Sequence, residues 1–274
     1  MTTAHYFRDL IYRDPNTIGL ARAALEIAKI QYPTLDAEPY LLHLKNMAHE
    51  ISKRLKAISK STDIVDAISN YLFLEIGYTG NDKDYYNIQN SCLNCVIDLK
   101  TGIPITLSII YLEVAWNLGV PLRGISFPGQ FIVGQFDTSE PRFVDPFSGG
   151  VKLSKSDLKQ ILVKYGLGHL PLENVLIPCN KKEILSRMLR NLKAIYLGQK
   201  NLGRTKACID RLLVLSPDDN GELRDRGLIF HQLKKYTEAR ADLLTYIRRC
   251  PNNSDVAVIE ELLSSNEYHR IRLH

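Results

Sequence analysis

The chain has 274 residues, 45% of them hydrophobic and 24% charged, the balance of a globular protein with room for one large domain or two ordinary ones. Its net charge of +5 (pI about 8.8) is spread along the chain without a basic stripe, so nucleic acid is not an expected partner. No apolar run approaches the roughly 18 residues of a membrane span, and no basic segment followed by an apolar one opens the chain, so the sequence predicts no span, no secretory leader and a cytoplasmic location.

Apolar residues at Ile18, Ala21, Leu25 and Ala28 recur with a helical period and predict a helix over 16–31, ended by Pro33. A second helical pattern, over 36–59, carries Leu41, Leu44, Met47, Ala48, Ile51 and Leu55, with Pro39 in its first turn, where a missing N–H is harmless. A third, over 64–75, has Asp63 as N-cap and Gly77 as its stop. Residues 77–94 are turn-rich and aromatic and read as an ordered loop, because the rings of Tyr78, Tyr85 and Tyr86 need somewhere to pack. Cys92 and Cys95 form a C-x-x-C without a second pair or matching histidines, and Cys179, Cys208 and Cys250 lie far away. Reduced structural cysteines are expected, with no metal and no cofactor.

The strongly apolar segment 104–118 predicts a helix that Pro104 begins and Gly119 and Pro121 end, with Leu107, Ile110, Tyr111, Val114 and Ala115 along one side. Short strands are expected at 123–127, 131–136 and 142–145, separated by the Pro128-Gly129 turn and a polar run over 137–141. Ser154 and Asp157 form a capping box before Leu158, Ile161 and Leu162. From Lys181 onward the pattern is all helical and contains a repeat. Tyr196 matches Phe230, Leu202 matches Tyr236, Ile209 matches Leu243 and Pro217 matches Pro251, a spacing of 34 residues. Thirty-four is the tetratricopeptide period. Gly227 and Ala239 supply the small residues of the second copy, where the first has Lys193 and Thr205. An ordinary pair of helical hairpins is the plainer alternative. Two repeats fall short of a free solenoid, so they are expected to dock on the preceding domain.

Several motifs in fixed order then carry a resemblance: Gly80-Asn81, Tyr85-Tyr86, the Asn90-to-Asn94 loop, Gly102-Ile103-Pro104-Ile105-Thr106-Leu107-Ser108, Phe127-Pro128-Gly129-Gln130-Phe131 and Asp145 through Gly149-Gly150, followed by the repeats. The order is similar to that of the bacterial SirB family, over nearly the whole chain. The resemblance implies an α+β protein. A helical N-terminal region and a transglutaminase-like small antiparallel sheet packed on a helix would occupy 1–178. Tetratricopeptide-like hairpins would occupy 179–274.

A transglutaminase-like core resembles a papain-type site. A cysteine opens a helix, a histidine on a strand deprotonates it and an aspartate orients the histidine. The helix N-terminus and an imidazolium stabilise the thiolate, histidine shuttles protons near neutrality and the aspartate fixes its tautomer. Laid on this chain, the nucleophile position falls on Pro104 and the histidine position on Gln130, and only Asp145 remains. Proline has no nucleophilic atom, and a glutamine amide does not accept a proton near neutral pH. The resemblance therefore implies a degenerate triad and no transglutaminase chemistry, with Asn90, Thr106, Gln130 and Asp145 as candidate binding residues of a residual cleft. Asp145 also reads as a turn initiator before Pro146. Replacement chemistry would need Thr106, Ser108, Cys92 or Cys95 as nucleophile and His169 as base. The expected function is a non-catalytic scaffold or regulator for a protein or peptide partner. The alternatives are a hydrolase or amide-transfer enzyme with a displaced nucleophile, or an indirect transcriptional regulator.

Overall fold

A computed structural model of the chain describes residues 7–9, 11, 19–57 and 63–265. The chain divides into two units, one of residues 13–188 and one that combines residues 1–12 with 189–274.

In the core unit, α1 (Leu20–Ala28) is almost entirely buried, and α2 (Glu38–Ala57) presents Leu44, Met47, Ala48 and Ile51 inward. The Asp63 carboxylate accepts from the Val65 N–H at 2.9 Å and caps α3 (Ile64–Ser69), as the sequence predicts. The helix then widens into a π turn over Asn70–Glu75 and stops at Gly77, whose φ of 86° is open to glycine. The expected loop after it holds more structure than its composition suggests. Strand β1 (Thr79–Gly80), a 3-10 turn at Ile88–Ser91 and helix α4 (Leu93–Leu99) all fall within or across it. Strand β2 (Thr101–Gly102) pairs with β1 in parallel, Thr79 against Thr101 and Gly80 against Gly102.

Helix α5 (Pro104–Asn117) is the axis of this unit. The sequence assigns it one apolar side, but every residue from Pro104 to Leu112 is buried, with Val114 and Ala115. The cause is its surroundings: α1, α2, α3 and α4 pack around it together with the sheet. Full burial of each Leu or Ile side chain contributes about 1.5–3 kcal/mol, so this helix anchors the core. Its polar groups are matched: Tyr111 donates to the Val65 carbonyl at 3.0 Å and the Trp116 indole to that of Leu122 at 2.8 Å.

The sheet is antiparallel in the order β3 (Arg123–Ile125), β4 (Ile132–Gln135), β5 (Arg142–Asp145) and β6 (Val151–Leu153). Strands β3 and β4 are shorter than expected because the turn at Pro128-Gly129 claims their facing ends. Strand β6, only three residues long, has too little alternation to show in the sequence. Ile125, Ile132 and Phe143 face α6 (Lys155–Lys164), packing on Leu158 and Leu162. The Ser154–Asp157 capping box forms, with the Asp157 N–H donating to the Ser154 hydroxyl at 3.1 Å.

Helix α7 (Lys181–Gly198) begins in the core unit, and its residues from Leu189 belong to the second unit with α8 (Leu202–Leu215), α9 (Asn220–Gln232), α10 (Tyr236–Arg249) and α11 (Val256–Leu263). The 34-residue repeat is a backbone repeat. Lys200 and Lys234 hold left-handed φ values of 56° and 58° at equivalent hairpin turns. Gly227 lets α9 and α10 approach, since a Cβ there would lie 2.7 Å from the Leu243 side chain. Its counterpart Lys193 instead sends its amine to Glu222 at 2.7 Å and Asp225 at 2.5 Å. Thr205, the counterpart of Ala239, is buried and returns its hydroxyl to the Asn201 carbonyl at 2.9 Å. Phe7 and Ile11 are buried, Phe7 beneath the Arg211 guanidinium at 5.8 Å.

Candidate functional site

The site grows from the start of α5. Pro104 occupies its first turn, where the absent N–H costs nothing, and is buried. Ile103 has no side-chain oxygen to act as a cap, so the job passes to Thr106. Its hydroxyl accepts from the Ile103 N–H at 3.1 Å and lies within hydrogen-bonding distance of two carbonyl oxygens, Asn90 at 2.7 Å and Ile103 at 3.1 Å. Gly102 is required beside it, because a Cβ there would lie 2.8 Å from that same hydroxyl.

The Thr106–Asn90 contact joins two of the sequence-derived candidates. Asn90 is buried and organises its own loop. Its amide donates to the carbonyls of Asp84 at 2.7 Å and Tyr85 at 3.3 Å, and its oxygen accepts from the Asn81 amide at 3.3 Å. The Asn81 N–H in turn donates to the Gly102 carbonyl at 2.9 Å, which ties the loop to the residue two places before Pro104.

One turn into α5, the Ser108 hydroxyl donates to the Phe131 carbonyl at 3.1 Å and brings the entry to β4 against the helix. That entry is a tight turn. Gln130 donates its backbone N–H to the Phe127 carbonyl at 3.0 Å, with Pro128 and Gly129 (φ 70°) at the centre. Glycine at this third position is what a type II turn demands. The Gln130 side-chain oxygen is buried and has no hydrogen-bond partner among the described residues.

Asp145 ends β5. The pairing of Val133 with Val144, continued one step, sets Ile132 across from Asp145, so Gln130 enters β4 two residues from Asp145's neighbour. No hydrogen bond joins the two side chains. The buried Asp145 carboxylate accepts instead from the Phe147 N–H at 2.9 Å and the Ser148 hydroxyl at 2.7 Å, holding the turn that Gly149 and Gly150 continue with φ values of 76° and 75°.

The other groups lie apart from this arrangement. His169 is exposed in the turn after α6 and bonds none of Thr106, Gln130 or Asp145. All five cysteines are free thiols. Cys92 and Cys95 are buried; Cys95 donates to the Tyr32 hydroxyl at 3.2 Å, and burial pushes its thiol above the ordinary range. Among the described residues, no three His, Cys, Asp or Glu side chains gather as a metal site.

Residues 38–190 match the transglutaminase-like superfamily. The chain belongs to that superfamily. Residues 192–264 match the tetratricopeptide repeat. A UPF0162 protein of Xylella fastidiosa (strain 9a5c) is 36% identical over 265 residues, 95% of this chain and 94% of that protein. A UPF0162 protein of Vibrio cholerae serotype O1 is 27% identical over 270 residues, 97% of this chain and 99% of that protein. The F-box only protein 21 of Mus musculus is 31% identical over 157 residues, 54% of this chain and 24% of that protein. No solved structure matches the chain.

Around the transglutaminase-like helix start, the structure gathers Tyr85 and Tyr86, which the sequence placed in an ordered loop, with Tyr165 and Arg187, which sequence reasoning did not single out. Tyr85 stands edge-on to Phe147, with ring centroids 6.3 Å apart, and to Tyr86 at 5.4 Å. Tyr165 covers the turn before Gln130 so closely that a Cβ on Gly129 would lie 2.0 Å from its ring. The Arg187 guanidinium lies 5.4 Å above the Phe131 ring and donates to the Ser126 hydroxyl at 2.6 Å. Burial pushes the Tyr85 phenol up, and the charge of Arg187 opposes that shift, so the two are electrostatic neighbours. Only the pairing of Tyr85 with Tyr86 in a turn-rich loop hinted at this cluster in the sequence.

Proposed function

We propose that this chain is a non-catalytic member of its superfamily, a scaffold or regulator that holds a peptide or protein partner. The observation that carries this reading is the start of α5. A buried proline stands where the resemblance places the nucleophile, and the nearest hydroxyl, Thr106, is engaged as a helix cap. A hydroxyl becomes a nucleophile only beside a base, and Gln130 does not serve as one. The tetratricopeptide repeats support the partner-binding half, since stacked helical hairpins commonly present binding surfaces. The SirB resemblance and a cytoplasmic site of action belong to the same proposal; no described helix is long and apolar enough to cross a membrane.

The test has two arms. The purified full chain, given a glutamine-donor peptide and an amine or a set of generic peptides, should show no amine incorporation and no cleavage. Affinity capture from the native cytoplasm, followed by reconstitution with purified protein, should yield a stoichiometric partner. Turnover that disappears on Cys92→Ala, Cys95→Ala or Thr106→Ala would overturn the non-catalytic reading.

A further inference from the structure

Arg187 is half-buried, yet no carboxylate pairs with it among the described residues. Its contacts are one neutral hydroxyl and one aromatic face. A guanidinium carries five N–H donors in a planar fork, and a single hydrogen bond, to Ser126, occupies this one. Burial without a counter-charge disfavours the cation and pulls its pKa below the ordinary arginine value. Arg226, also semi-buried, is treated differently: it reaches both Asp242 oxygens, at 2.6 and 2.8 Å.

The surroundings give the missing group a shape. Tyr85, Tyr86 and Tyr165 are 37%, 76% and 48% exposed, uncommon for rings in an ordered cluster, and Tyr85 has Arg187, Tyr86 and Tyr165 as its charged or ionisable neighbours. Partly exposed tyrosines combine apolar area with a polar tip, the composition of peptide-contacting surfaces. A single cation suits a singly charged, planar anion, which the guanidinium fork grips with two hydrogen bonds. Phosphate sites usually gather several arginines, and among the described residues the groups acting on the Tyr85 phenol include one cation, Arg187.

We propose that Arg187 anchors a carboxylate of a bound peptide, flanked by Tyr85, Tyr86 and Tyr165 at the edge of the degenerate triad. This rests on reading the core as a binding site. The carboxylate comes from a peptide C-terminus or from an Asp or Glu side chain, and the experiment separates the two.

The full chain, labelled with 15N-arginine, is titrated with three peptides: acetyl-Gly-Phe-Ala with a free C-terminus, acetyl-Gly-Phe-Ala-amide, and acetyl-Gly-Phe-Glu-amide. At least one acid should shift the Arg187 Nε–Hε resonance saturably and bind about tenfold or more tightly than the neutral amide. The winning acid names the source. R187Q should lower the affinity for that acid to the level of the neutral peptide, and R187K should retain part of it. The comparison within the wild-type chain needs no variant, so a poorly folding R187Q does not decide the matter. Equal binding of the neutral amide, no response to either acid at millimolar concentration, or acid binding by folded R187Q at the wild-type level would each overturn the anchor. Capture of the native partner by R187Q at wild-type strength would remove this anchor and leave the scaffold reading. Turnover of any peptide would remove the scaffold reading and leave the anchor.

Discussion

At the start of α5 the Thr106 hydroxyl joins three backbone groups, and at the end of β5 the Asp145 carboxylate holds two donors. Across the same site, among the described residues, the Gln130 oxygen has no partner, and Arg187 has one hydroxyl and a ring. Polar groups that are buried and matched fix a backbone; polar groups that are buried and unmatched are costly unless something outside the chain completes them. The start of α5 and the end of β5 therefore behave as framework, and the unmet bonding capacity lies at Gln130 and on the edge that carries Arg187.

Breaking the framework side should have the larger effects on stability. Asp145→Ala removes a buried acceptor from the Phe147 N–H and the Ser148 hydroxyl and should lower stability by about 2–3 kcal/mol, read by urea denaturation. Loss below about 0.5 kcal/mol would mean the turn stands on its glycines alone. Thr106→Val keeps the shape and removes the cap, leaving the Ile103 N–H without a partner, and should cost about 1–2 kcal/mol in the same measurement. On the open side, Gln130→Leu deletes a buried oxygen that bonds nothing among the described residues, so stability should hold or rise, by up to about 1 kcal/mol. A loss as large as that of Thr106→Val would show that the Gln130 amide group is as structural as the cap. The smallest effect is expected from Pro104→Cys combined with Gln130→His, assayed for amine incorporation. No turnover above background should appear, because Asp145 is committed to its own turn and a productive triad needs placement within about 0.5 Å. Measurable turnover would mean the site is still pre-organised.

Where side-chain pattern and local capping agree, the fold was legible in the sequence. The Asp63 and Ser154 caps, the Pro128-Gly129 turn and the 34-residue repeat each depend on residues close together in the chain, and each forms. The misses have a common cause in long-range packing. The pairing of β1 with β2 involves two residues per strand and leaves no alternation to detect. Helix α4 starts beneath a polar C-x-x-C, and its burial between α1 and α5 is invisible locally. The even burial of α5 likewise comes from what surrounds it. Within the site, Asn90, Thr106, Gln130 and Asp145 were legible as candidates, but the Thr106–Asn90 contact that joins two of them was not. Arg187 was not readable, because on a helix that also carries Lys181, Lys182 and Arg190 nothing local distinguishes the cation that lies over Phe131.

The loop between Asn81 and Asn90 is closed three times over. The Asn81 side chain donates to that of Asn90, the Asn90 amide reaches back to Asp84, and the two ends are fastened to Gly102 and Thr106. The entropy of bringing those ends together has thus already been lost during folding. A partner that meets Tyr85 and Tyr86 encounters rings whose backbone is already ordered, so little of its binding energy goes into organising the loop.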